Sequence, residues 1–267
     1  MEIKKGDIVG RYSYNNDIVF YVDRIITFDG TKKIAILKGI NIRVEADAPI
    51  EDLKKWELKK AYEYIRSLED DFYNKIINNQ NRALEYTGKI LHLDGDRRYS
   101  EKTLKYYKKL RLNAIVKNVP ESKQPQMVIP LLNKYRPDIL IITGHDSMVK
   151  TGKNYYDIYN YRNSKYFINS VINARRWEMS SNGLSIFAGA CQSFYESIIE
   201  AGADFASSPG RILIDFVDPI VVANKIATTD RNIYISGKEM ASLIKEGEKG
   251  VSGIGSKGKK NKYRNNV

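Results

Sequence analysis

Two hydrophobic rhythms divide the chain. Between Gly6 and Val44 the apolar positions fall in short runs punctuated by turn residues: Asp17-Ile-Val-Phe-Tyr-Val-Asp23, a turn at Asp29-Gly30, then Lys33-Ile-Ala-Ile-Leu-Lys38 and Ile42-Arg-Val44. Runs of this length, rich in β-branched and aromatic residues, predict strands. After Pro49 the spacing changes. Leu53, Trp56, Ile65, Leu68, Phe72 and Ile76 recur mostly three or four residues apart among charges, which predicts an amphipathic helix.

Beyond Gly88 apolar strands alternate with helical stretches. The strands are Lys89-Ile-Leu-His-Leu93, Ala114-Ile-Val116, Asp138-Ile-Leu-Ile-Ile-Thr143, Leu184-Ser-Ile-Phe-Ala188 and Ala203-Asp-Phe-Ala206. The helices between them run from Ser100 to Leu110, towards Tyr135, around Ser164 to Arg176, and from Gln192 to Glu200. Such alternation builds a mostly parallel sheet. The expected fold is therefore α/β: a small SH3-like β-barrel over 1–50, a helical linker over 51–86, a mostly parallel α/β sheet domain over 87–236, and a flexible basic tail over 237–267. The tail rests on Gly247, Gly250, Gly253, Gly255 and Gly258 among Lys249, Lys257, Lys259, Lys260 and Lys262, which read as too flexible and too polar to pack.

Composition narrows the function classes. A 42% hydrophobic content is ample for a core, and 44 Lys and Arg against 32 Asp and Glu give a net charge of +12. That excess favours acidic partners, nucleic acid among them, without requiring any. The single cysteine excludes an intramolecular disulfide and fits a reducing compartment. The opening Met-Glu-Ile-Lys-Lys-Gly-Asp lacks an apolar signal segment, and no apolar run approaches the ~18 residues of a membrane span, so the chain reads as soluble and cytoplasmic. There is no internal repeat, no phosphate-cradling Gly-x-x-x-x-Gly-Lys-Ser/Thr loop and no Gly-x-Gly-x-x-Gly after a strand, which leaves nucleotide chemistry unsupported. Two histidines and one cysteine cannot form a usual zinc site without several carboxylates, so no metal or other cofactor is expected.

The candidate chemistry sits at strand ends. His145, in Ile141-Ile-Thr-Gly-His-Asp146, and Cys191, in Phe187-Ala-Gly-Ala-Cys-Gln-Ser193, each follow the carboxyl end of an apolar strand, the edge where α/β sheets bind ligands. A helix beginning near Gln192 would bring backbone N–H groups and a positive dipole end to the Cys191 sulfur, favouring thiolate and a developing oxyanion. The imidazole of His145 would deprotonate or orient the thiol and protonate a leaving amine. His92 lies inside its strand and is expected to be structural. A lone cysteine is more often a small buried hydrophobe, and Gly144 and Gly189 suit ordinary turns; the conjunction at equivalent strand ends is what points to catalysis. Asp94-Gly95-Asp96 lies at the same edge, where either carboxylate can pair with a cationic side chain or simply belong to a turn. Ser207-Ser208-Pro209-Gly210 can line a cleft or form a plain loop.

At these residues the chain resembles the YabG family of sporulation peptidases. The likeness runs through Gly88-Lys-Ile-Leu-His-Leu-Asp-Gly-Asp96, Lys134-Tyr-Arg-Pro-Asp-Ile-Leu-Ile-Ile-Thr-Gly-His-Asp146 and Ala188-Gly-Ala-Cys-Gln-Ser193, then Tyr161-Arg-Asn-Ser-Lys165, Glu196-Ser197, Ala201-Gly-Ala203 and Phe205-Ala-Ser-Ser-Pro209, with Lys5-Gly-Asp-Ile-Val9 at the start. A wider similarity is to the caspase, gingipain, clostripain and legumain group, in which His follows one strand and Cys the next main strand.

The resemblance implies a caspase-like sheet domain, a Cys191–His145 dyad, and endoproteolysis of spore coat and cortex-associated proteins after Arg in the sporulating mother cell, with association to the spore coat. By analogy, Asp94 or Asp96 would form an acidic pocket with Ser207 or Ser208 on its wall. In the wider group a Gly after the His helps to form the oxyanion hole. Here Asp146 stands in that place, so the backbone donors are sought among Gly144, Asp146 and Gln192. No third triad member is apparent in the sequence. The alternative from another class is a basic protein binding nucleic acid or the assembling spore coat, with the barrel and tail as contact surfaces and Cys191 merely buried.

Overall fold

The β-rich N-terminal rhythm folds as β1 (Ile8–Arg11), β2 (Phe20–Phe28), β3 (Lys32–Gly39), β4 (Glu45–Pro49) and β5 (Leu53–Lys55). All neighbours are antiparallel, in the order β4-β3-β2-β1-β5. A bulge between Val22 and Arg24 interrupts the β2–β3 ladder, and Val9, Val22, Ala35 and Leu37 are buried. Among the described residues no pairing joins β4 to β5, so this is an open sheet and not a closed barrel. Leu53, expected on the helix, instead pairs with Arg11 of β1, and helix α1 spans Leu58–Ile77.

The computed structural model describes all residues except 1, 29, 31, 78–86, 149–153, 179–182 and 261–267. The predicted turn at Asp29-Gly30 and the end of the predicted linker thus fall partly outside the described residues. The chain separates into two compact units, Met1–Asn79 and Gln80–Val267.

In the second unit the alternating rhythm gives β6 (Ile90–Asp94), α2 (Arg97–Lys109), β7 (Ala114–Asn118), α3 (Gln124–Tyr135), β8 (Ile139–Thr143), α4 (Ser164–Glu178), β9 (Ser185–Ala188), α5 (Tyr195–Glu200) and β10 (Phe205–Ser207). After these come α6 (Asp218–Thr228), β11 (Tyr234–Ile235), α7 (Gly237–Ala241), β12 (Val251–Gly253) and β13 (Ser256–Lys257). Six strands form one sheet in the order β12-β10-β9-β8-β6-β7. It is parallel except for β12, which runs antiparallel to β10. This is the expected mostly parallel sheet. Side chains alternate across it: Leu91, Leu93, Leu140, Ile142 and Ile186 pack with Val128 and Leu132 of α3 and Phe167 and Val171 of α4. On the other face His92 bonds to Tyr107 of α2 and to Thr143 Oγ1, each at 2.8 Å, the structural role expected of it. No helix among the described residues is long and apolar enough to cross a membrane.

The tail is the main departure from expectation. Residues 237–260 carry α7, β12 and β13, and Val251, Ser256 and Lys259 are buried. Its glycines serve close approach. A Cβ on Gly253 would lie 2.0 Å from the Asp204 carbonyl oxygen, and one on Gly258 would lie 2.2 Å from that of Thr229. Glycine content alone implies freedom, whereas here it lets an extra strand lie against the sheet edge. Residues 261–267 of the predicted tail fall outside the described residues.

Candidate active site

Parallel pairing in register fixes the two key residues. Ile142 pairs with Ala188, so His145 and Cys191 each lie three residues past a paired position, on loops that leave neighbouring strands at the same edge. Asp94 and Asp96 follow β6 at that edge, Ser207 ends β10, and Ser208 follows it.

His145 is 1% exposed. Its ring stands between two carboxylates: Nε2 is 3.6 Å from Asp96 Oδ2, and Nδ1 is 3.8 Å from Glu121 Oε1. Neither ring nitrogen makes a hydrogen bond. The Tyr99 ring lies against the imidazole at 5.4 Å and stacks on Phe216 at 5.5 Å. Glu121 accepts the His145 backbone N–H at 2.8 Å. Burial works to raise its carboxyl, but the imidazole and backbone N–H of His145 outweigh this and hold it below its ordinary range.

Cys191, the single cysteine of the chain, is buried. Its sulfur accepts the Ile214 N–H at 3.3 Å and approaches the Ile214 carbonyl at 3.6 Å, so the segment between β10 and α6 lies over the thiol. The same segment is held by Phe216 on Tyr99 and by the Arg211 guanidinium on Tyr161 Oη and Glu196. The helix expected from Gln192 starts only at Tyr195 and has six residues. Cys191 and Gln192 occupy a turn, with Gln192 at φ +54°. The turn forms because Ser193 Oγ and Ser208 Oγ accept the Ala190 and Gln192 N–H groups, bonds that a helix would not permit.

Asp146 joins the two loops. Fully buried, it accepts the Ser147 and Asn163 N–H groups on Oδ1 and the Ser164 and Ser193 hydroxyls on Oδ2. Desolvation outweighs these four bonds and pushes its carboxyl up to about 6. Its side chain thus ties the His145 loop to the residue two past Cys191, and the Gln192 side chain adds a 3.3 Å bond from the Met148 N–H.

The other expected site residues divide. Asp96 both faces His145 and caps α2, accepting the Arg98 and Tyr99 N–H groups. Asp94 is wholly buried and accepts the Asp96 N–H at 2.9 Å. Ser207 donates to the Ala190 carbonyl and Ser208 to that of Ile212, so both buried hydroxyls are taken up by the chain itself. The Gln192 N–H is likewise engaged, by Ser208 Oγ and by the Ile212 carbonyl at 3.1 Å. Gly144 lies against Glu121: a Cβ there would meet Oε1 at 2.3 Å. Glu121, Tyr99, Ile214 and Phe216 carry no local signal of a site in the sequence. Among the described residues no three His, Cys, Asp or Glu side chains converge to hold a metal ion.

Comparison with known proteins points to a peptidase family. The pattern of the YabG peptidase U57 family matches residues 4–265. The sporulation-specific protease YabG of Bacillus subtilis (strain 168) is 38% identical over 282 aligned residues, covering 97% of this chain and 96% of that protein. No solved structure matches. A match across nearly the whole length, at that identity, places the chain in the YabG family of peptidases.

Proposed function

We propose that the chain is a sporulation cysteine endopeptidase in which Cys191 is the nucleophile and His145 its proton partner. The observation that carries this is the Ile142–Ala188 register, which sets one thiol and one imidazole at matching depth on adjacent loops. The thiol proton passes to the imidazole, the sulfur attacks the scissile carbonyl, and the imidazolium returns the proton to the leaving amine. Water then hydrolyses the thioester. Gln192 supports an oxyanion role: its N–H already holds a backbone carbonyl, that of Ile212, as it would hold a substrate's once the covering segment moves. Gly144 and Asp146, on the loop after β8, are the further candidate backbone donors.

The preferred substrates are spore coat and cortex-associated proteins, cut after Arg. Asp96 is the better placed of the two candidate specificity acids, since its Oδ2 faces His145 whereas Asp94 serves the Asp96 backbone. The test is mass spectrometry of new N-termini after an unfolded Arg- and Lys-rich protein is incubated with wild type, Cys191→Ala or His145→Ala under reducing conditions. Cleavage after Arg by wild type alone is expected. Equal cleavage by Cys191→Ala overturns the mechanism, and cleavage that ignores Arg overturns the specificity.

A further inference from the structure

The sequence offers no third member for the pair, yet the fold delivers a carboxylate to the imidazole from an unexpected direction. Because the sheet order places β7 beside β6, the turn after β7 carries Glu121 back across the strand ends. Its carboxylate enters a slot between two glycines: a Cβ on Gly95 would lie 2.1 Å from Cδ and Oε1, and one on Gly144 would lie 2.3 Å from Oε1. Any larger residue at either place would displace the group. In the slot Glu121 takes the His145 N–H at 2.8 Å and stands 3.8 Å from Nδ1.

We propose that Glu121 is the positioning residue of the catalytic pair: it fixes the His145 loop by its backbone and compensates the charge the imidazole acquires on taking the Cys191 proton. The physical reason is balance. A buried carboxylate next to a neutral ring is poorly compensated, whereas next to an imidazolium it is paired. Nδ1 and the backbone N–H both face Glu121, so this is the anchored side of the ring, and Nε2, which faces Asp96 Oδ2 at 3.6 Å, is the nitrogen assigned to the reacting atoms. The ionisable groups facing the ring are Glu121 from the turn after β7 and Asp96 and Tyr99 from α2, with Cys191 on the neighbouring loop. The inference rests on the cysteine-peptidase reading for the use made of that charge, but not for the coupling between Glu121 and His145.

The experiment compares wild type, Glu121→Gln and Asp96→Asn by NMR titration of the two histidines, assigned with His145→Gln, alongside kcat and KM as functions of pH. Glu121→Gln keeps the shape and an acceptor for the backbone N–H while removing the charge. It should move the His145 titration midpoint down by about one pH unit and lower kcat about 10- to 100-fold with little change in KM, the alkaline limb of the profile moving the same way. Should that variant fold poorly, Glu121→Asp, which withdraws the charge by one methylene, should show the same shifts in smaller measure. An unmoved His145 midpoint in folded variants overturns the proposal. Cleavage by Cys191→Ala would overturn the nucleophile assignment instead, and the titration would still decide the role of Glu121.

Discussion

The loops after β8 and β9 leave neighbouring strands in register, yet they treat their reactive groups in opposite ways. His145 is buried with both ring nitrogens unbonded between two carboxylates. Cys191 is buried just as deeply, but its sulfur is met by the N–H and carbonyl of Ile214. One loop is a built electrostatic setting with room for a bond yet to be made; the other already holds a stretch of its own chain over the nucleophile. A buried polar group without a partner costs free energy, so the histidine side is where strain is accepted. On the cysteine side the covering segment relieves it. The difference separates two requirements of the proposed mechanism: charge compensation, which is preformed, and access, which requires the segment over Cys191 to move.

The sharpest way to break the histidine side is to fill its slot. Gly144→Ala places a methyl 2.3 Å from Glu121 Oε1, and Gly95 blocks retreat on the other side. Glu121 must then leave its position against His145. Displacement of a supporting group by about 1 Å costs on the order of 100-fold in rate, so kcat should fall by about that factor while the fold persists, as read by steady-state kinetics beside a thermal melt. Retained activity would show that the slot does not control the imidazole.

The cysteine side is tested through its covering segment. Phe216 is 3% exposed and stacks on Tyr99, so Phe216→Ala should cost about 3–5 kcal/mol of stability and loosen Ile214 from the thiol. With a single cysteine in the chain, alkylation by a small reagent reports this directly, and the rate should rise about tenfold at temperatures well below the melt. Leu132→Ala, a substitution in the core beneath the sheet on α3, gives a comparable destabilisation away from the segment. If it accelerates alkylation equally, the segment is not a specific cover.

How much of this was legible follows from what each feature depends on. His145 and Cys191 stood out because an apolar strand ending in Gly-His or Gly-Ala-Cys marks a strand end locally. Glu121 was invisible: nothing near Pro120-Glu121 announces a site, and its role arises only from strand order, which brings β7 beside β6. The short α5 was misplaced by three residues because the Ser193 and Ser208 hydroxyls hold a turn that local propensity does not foresee. Ser207 and Ser208 sit at the expected edge, but their hydroxyls turn inward to the Ala190 and Ile212 carbonyls. The tail failed for a different reason, since Gly253 and Gly258 are needed for contact with backbone, and composition cannot tell that use of glycine from flexibility.

Asp146 is the link between the two loops, and its protonation offers the finest test of whether they act as one. Burial pushes its carboxyl up to about 6 from an ordinary 3.8, so the native state holds the proton more tightly than the unfolded chain. Its contribution to stability is therefore complete below about pH 4 and is lost as the pH rises through about 6, a change of up to about 3 kcal/mol at 1.36 kcal/mol per unit. Asp146→Asn keeps the shape and the Oδ1 acceptor for the Ser147 and Asn163 N–H groups and carries no titrating proton. Asp204, also raised by burial, titrates in the same direction, while Glu121 runs the opposite way, so the informative quantity is the difference between variant and wild type. Urea midpoints at pH 4.5 and 6.5 should fall less for Asp146→Asn than for wild type. Equal slopes would mean that Asp146 stays ionised and that its four donors, rather than a shared proton, tie the histidine loop to the cysteine loop.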